Sequence, residues 1–122
     1  MTNKRIIEDG NYTKVESLDD KGPGGAHHIY QITASTERAG HAEFTQTMIF
    51  FQKGAIEESG VNGCHNEDLI KIVIDRLERF QEGPFPSQFN ERAIAHLFKA
   101  LNVLNQRTQE RIARGVEGKL EK

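Results

Sequence analysis

Asn66-Glu67-Asp68-Leu69-Ile70-Lys71-Ile72-Val73-Ile74-Asp75-Arg76-Leu77-Glu78-Arg79-Phe80-Gln81-Glu82-Gly83-Pro84-Phe85-Pro86 is the stretch on which the fold turns. Leu69, Ile70, Val73, Ile74, Leu77 and Phe80 recur at helical spacing, which puts them on one stripe. Asn66 is the expected N-cap, and Glu67 and Asp68 place negative charge in the first turn, where the helix dipole favours it. Glu67–Lys71 and Asp75–Arg79 are i,i+4 pairs on the outer face. Gly83-Pro84-Phe85-Pro86 stops the helix. A second one starts near Ser87 or Asn90, with Ile94, Leu97, Phe98, Leu101, Leu104 and Ile112 as its stripe. Gly115 is a suitable residue just past its end. Two helices joined by so short a turn form an antiparallel hairpin, its second arm about 25 residues, or about 37 Å, long. The longer arm leaves a free end for solvent or another subunit.

Upstream of residue 64 the period changes. Residues 26–34 read as a strand, with Tyr30, Ile32 and Ala34 on one side and Ile29, Gln31 and Thr33 on the other. Residues 44–52 read as its antiparallel partner, connected through a segment containing Gly40. Residues 11–15 suit a short strand, and Asp19-Asp20-Lys21-Gly22-Pro23-Gly24-Gly25 a loop. Turn signals at Lys53-Gly54 and Gly60-Val61-Asn62-Gly63 predict a third short strand around Ile56. The expected architecture is α+β: a small antiparallel sheet in a β-rich part, residues 1–63, followed by a helical hairpin with a short tail, residues 64–122.

The 122 residues suit one domain or a small lobe with an arm. Leu, Ile, Val and Phe make up 30 of them, roughly a quarter, enough for a folded but thin core. Net charge is −2, from 16 basic and 18 acidic residues, which argues against a protein that coats nucleic acid. The single Cys64 forbids an intrachain disulfide and suits a reducing compartment. Met1-Thr2-Asn3-Lys4-Arg5 is polar with no apolar run behind it, and no run approaches the ~18 residues of a membrane span. The expectation is a soluble, intracellular protein.

Catalytic signals are weak. His27 and His28 are neighbours on a predicted strand and face opposite ways, and His41, His65 and His96 sit in different elements, so no metal is expected. No phosphate loop, nucleophile elbow or acid–base dyad stands out. The informative residues are Arg107, Arg111 and Arg114, at i, i+4 and i+7. They share one helix face, and guanidinium forks match phosphate oxygens. The same arginines also serve to offset the negative helix end, with Glu110 pairing Arg107 or Arg114. At the helix turn, Phe80 suits either a core position or a platform for a purine, and Asn90 has an amide that matches an adenine edge. Phe80 and Arg111 lie far apart within one antiparallel hairpin, so one small ligand meets both only if two chains come together.

Phe51-Gln52-Lys53-Gly54, Glu58-Ser59-Gly60-Val61-Asn62-Gly63, Ile74-Asp75-Arg76-Leu77, Phe80-Gln81-Glu82-Gly83-Pro84-Phe85, and Arg107-Thr108 leading into Arg111-Ile112-Ala113-Arg114-Gly115-Val116-Glu117-Gly118 resemble a phage family. Its members are immune-evasion sponge proteins that counter the bacterial Thoeris and CBASS systems, and the likeness is to the anti-Thoeris branch, which has a β-rich part before the hairpin. It covers about residues 48–118. The resemblance implies sequestration without catalysis or cofactor, in the cytoplasm of the infected host. The signal would be glycocyclic ADP-ribose, with CBASS cyclic oligonucleotides as further ligands. It also implies dimers that assemble into hexamers. By motif position, Phe80 would stack on the adenine and Asn90 would hydrogen-bond the ligand. Arg107 and Arg111 of the opposite chain would take the pyrophosphate. Thr108 and Arg114 are the candidates for a second nucleotide site. Pro86-Ser87-Gln88-Phe89 departs from the more charged stretch of relatives, which leaves the choice among signals open. The rival expectations are an enzyme that degrades such a signal and a helical hairpin that binds nucleic acid.

Overall fold

A computed structural model of the protein describes residues 4–36 and 46–122. The expected connection at Gly40, His41, and the first residues of the predicted second strand, Phe44 and Thr45, lie outside the described residues. The chain divides into two compact units, Met1–Cys64 and His65–Lys122.

The first unit carries a four-stranded antiparallel sheet in the order β1-β2-β3-β4. The strands are β1 Arg5–Asp9, β2 Thr13–Ser17, β3 Ile29–Ala34 and β4 Thr47–Phe50. β3 and β4 pair as expected, Tyr30 opposite Ile49 and Ile32 opposite Thr47, so the predicted alternation of side chains holds. β1 carries no alternating pattern and is exposed along its whole length. It forms because β2 offers a free edge. The register shifts between Ile6 and Glu8, so Ile7 is a bulge. Asp9 then ties the end of β1 across the sheet, accepting from Thr36 N–H at 3.1 Å and Thr36 Oγ1 at 2.6 Å.

The third strand expected around Ile56 is instead a helical turn, α1 Ile56–Ser59. Glu57 and Glu58 lie in its first turn, where the dipole favours acids, and Gly60 closes it at φ 70°. The chain pairs nearby, but at Phe51 and Cys64, which bridge in parallel through Gln52 N–H to Cys64 O and Cys64 N–H to Phe50 O.

The second unit is the hairpin of α2 Asn66–Glu82 and α3 Gln88–Ala113. The N-cap of α2 is His65, one residue before the expected Asn66. Asp68 reaches back to accept the His65 N–H at 2.8 Å, which makes the reciprocal contact of a capping box. Ser87 caps α3 and accepts the Asn90 N–H at 3.0 Å. Gly115 ends α3 at φ 75°, with Gly115 N–H bonded to Ile112 O and Val116 N–H to Arg111 O, the paired bonds of a Schellman motif. Of the described apolar residues, only Ile74 and Leu101 are buried. The seam between the helices is thus narrow, and Val73, Phe89, Phe98 and Val103 remain exposed. No helix among the described residues is long and apolar enough to cross a membrane.

Candidate functional site

Phe80 sits in the last turn of α2 and is 45% exposed. The Arg76 guanidinium lies over its ring at 5.1 Å from the centroid, a cation–π arrangement that the i,i+4 spacing allows. Asp75 and Glu82 both turn to Arg79, at 3.8 and 3.2 Å, so neither carboxylate claims Arg76. Sequence reading missed Arg76, although the Arg-x-x-x-Phe spacing was its signal. The connection after Phe80 is braced by Gln81. Its Oε1 accepts the Ser87 N–H at 2.8 Å and its Nε2 donates to Ser87 O at 3.0 Å. One amide thus grips both polar groups of one backbone residue and fixes where α3 begins. The Asn90 side chain is half-buried and has no hydrogen-bond partner among the described residues.

The arginine stripe behaves unevenly. Arg107 is exposed and forms no ion pair among the described residues. Arg114 takes Glu110 and donates to Lys122 O at 2.6 Å, so of the two expected partners Glu110 selects Arg114. Thr108 is half-buried and its Oγ1 returns to Leu104 O at 3.3 Å, the ordinary habit of a helical threonine. Arg111 is the exception, only 6% exposed. Its Nε donates to Glu117 Oε1 at 3.3 Å and its Nη1 to Glu121 O at 2.5 Å. Its Nη2 donates to Val116 O and Lys119 O, both at 2.9 Å. The tail after α3 is therefore folded back over the Arg111 guanidinium.

Within one chain these residues form two clusters. Phe80, Asn90 and Arg76 gather at the hairpin turn, and Arg107, Thr108, Arg111 and Arg114 at the far end of α3. Asn90 and Arg111 are 21 residues apart on one continuous helix, a separation of about 32 Å. No single hairpin places them on one small ligand.

A further cluster in the first unit holds polar side chains. Asp19 accepts from His28 N–H and Ile29 N–H, each at 3.1 Å, and its carbonyl meets His27 Nδ1 at 2.7 Å. Burial opposes ionisation of this carboxyl, and the N–H donors of Ile29 and His28 outweigh it, holding its pKa below the usual value. His28 is buried, and its Nδ1 has no hydrogen-bond partner among the described residues. Among the described residues no three His, Cys, Asp or Glu side chains group as metal ligands do.

Two motif blocks of the first unit form a clamp. Gln52 Nε2 donates to Gly54 O at 3.3 Å and Gly60 O at 2.7 Å, and its Oε1 accepts Asn62 N–H at 3.0 Å. Asn62 in turn accepts Lys53 N–H and donates to Lys53 O, both at 2.8 Å. Gly63 follows because the Phe51 and Gln52 backbone runs directly against it, with a Cβ there falling 2.7 Å from Gln52 N.

Comparison with known proteins bears on both units. Residues 45–109 match the family model of the Acb2/Tad1 hairpin domain. A curated relative, Thoeris anti-defense 1 of Bacillus phage SBSphiJ7, is 53% identical over 72 residues, covering 59% of this chain and 51% of that protein. The chain thus spans about half the length of the curated relative it matches. With more than half of its residues under the hairpin-domain model, the chain belongs to the Acb2/Tad1 family.

Proposed function

We propose that the protein is a non-catalytic sponge. It binds and sequesters a cyclic nucleotide immune signal, glycocyclic ADP-ribose and also CBASS cyclic oligonucleotides, in the cytoplasm of an infected bacterium. It thereby blocks anti-phage defence. The observation that carries this reading is the pairing of family membership with an exposed aromatic at the hairpin turn and an exposed Arg107, without an ion pair among the described residues, at the far end of α3. The name of the phage relative, an anti-defense protein against Thoeris, points the same way.

In this reading Phe80 stacks on the adenine and the Asn90 amide bonds the ligand. Arg107 and Arg111 of a second chain take the pyrophosphate, and Thr108 and Arg114 belong to a second nucleotide site. The separation of the two clusters calls for a second chain; the dimer that assembles further into a hexamer is what the family resemblance implies. Stacking contributes about 1–3 kcal/mol per base, and each charge-assisted hydrogen bond about 1.5–3 kcal/mol before ordering costs. One ring, one amide and a pair of guanidiniums therefore suffice for tight capture by a preorganised cleft.

The test is to mix the protein with glycocyclic ADP-ribose, remove free ligand, and heat-denature the complex. A sponge releases the signal intact. Release of cleavage products would identify an enzyme, and no capture at all would end the sponge reading. A shift of random duplex DNA, lost steeply with added salt, would mark a nucleic-acid-binding hairpin instead.

A further inference from the structure

The Arg111 guanidinium is a phosphate-binding group in the proposed site, yet it is covered by the protein's own tail. A guanidinium has five N–H donors. Four hydrogen bonds from Arg111 go to Glu117 Oε1, Val116 O, Lys119 O and Glu121 O. A phosphate bound in the usual forked manner takes two parallel N–H bonds, and this arrangement leaves one. We infer that residues 117–121 form a strap that occupies Arg111, and that strap and phosphate exclude one another at this side chain.

The strap is built to let go. Its acceptors are three backbone carbonyls and one carboxylate, and of its residues Lys119, Leu120 and Glu121 are exposed and add little buried surface. The Schellman bonds at Gly115 and Val116 secure the helix end by themselves, so release of residues 117–121 leaves α3 intact. Carbonyl oxygens carry only partial charge, so a dianionic phosphate competes well for the same donors. The Glu117 carboxylate, 3.3 Å from Arg111 Nε, opposes an incoming anion until the strap swings away. Tail closure thus keeps the guanidinium paired while no ligand is present.

The inference rests on the proposed reading only in taking phosphates as the ligand class, and its test leaves the signal molecule out. Inorganic pyrophosphate is the probe. Backbone amide hydrogen exchange of the full chain is followed with pyrophosphate and with sodium chloride at equal ionic strength. The Gly118 and Lys119 amides of the strap, bonded to Glu117 Oε1 and Val116 O, are expected to exchange about tenfold faster at saturating pyrophosphate, equivalent to about 1.4 kcal/mol. Chloride should not reproduce this. Unchanged or slower tail exchange overturns the strap. Two full-length variants make the result specific. Arg111→Gln should exchange its tail quickly without pyrophosphate and show no further response. Glu117→Gln should bind pyrophosphate about threefold more tightly, and equal or weaker binding counts against the strap. Failure of glycocyclic ADP-ribose capture would sink the sponge reading and leave these results standing on their own.

Discussion

At the residue scale, the most informative side chains are those that hold backbone. Gln52, Asn62, Gln81 and Arg111 each bond main-chain N–H or C=O groups, and all four lie in the blocks that carry the family likeness. From sequence alone, Arg111 reads as one of three equivalent cations on a stripe. Its burial depends on a tail whose return path no helical periodicity encodes. Phe80 and Arg107, by contrast, are where the spacing puts them, and exposed. Phe80→Ala and Arg107→Ala should each weaken signal binding by about 1–3 kcal/mol, read by titration calorimetry, with the oligomer retained. Unaltered affinity in both variants would put the pocket elsewhere. Asp19 gives a pH prediction. Burial disfavours its charge, but the Ile29 and His28 N–H groups hold its folded pKa below the ordinary 3.8. Its stabilisation is therefore complete above that value and lost as pH falls through the lowered folded pKa. Asp19→Asn should flatten the acid limb of a stability-versus-pH curve below about pH 4.

At the element scale, the hairpin was legible and part of the sheet was not. A 3.6-residue stripe repeated along α2 and α3 is redundant, so exposed members such as Val73 and Phe98 do not spoil it. The end signals were readable as well: Ser87 caps α3 and Gly115 closes it. The start of α2 was misplaced by one residue because Asn66 has the stronger capping preference, while the bonded partner of Asp68 is His65 N–H. β1 was missed because Arg5-Ile6-Ile7-Glu8-Asp9 has no alternation, and the bulge at Ile7 removes what little it has. The segment around Ile56 was misread because turn signals on both sides say nothing about what lies between them. Ser87→Ala should cost about 1 kcal/mol of hairpin stability. Leu101→Ala, which removes one of the two buried apolar side chains of the seam, should cost about 2–5 kcal/mol. Urea titration followed by circular dichroism at 222 nm measures both, and a Leu101→Ala loss below that of Ser87→Ala would mean the seam is not what holds the helices together.

At the scale of the whole molecule, the shortage of interior is the dominant fact. Ile74 and Leu101 are the buried apolar residues of the described chain, while Phe89, Val103 and Phe98 are exposed at 68, 62 and 43%. A long helix with apolar side chains on its outer surface is stabilised when a second copy covers them. In the proposed reading the same association joins the Phe80 end of one chain to the Arg107 end of another. Sedimentation velocity should therefore find at least a dimer. Phe98→Asp should shift it toward monomer and abolish ligand capture together. A purely monomeric protein that still captures the signal would break the link between assembly and binding.

The amide clamp of Gln52 and Asn62 has a consequence for how such a chain can change. A side chain that grips main-chain atoms is indifferent to which amino acid supplies them. Lys53, whose N–H and carbonyl Asn62 holds, can be exchanged for almost any residue but proline without loosening the knot. The gripping amides have no such freedom. Saturation mutagenesis should find interchangeable letters at Lys53, and fixed ones at Gln52, Asn62 and Gly63.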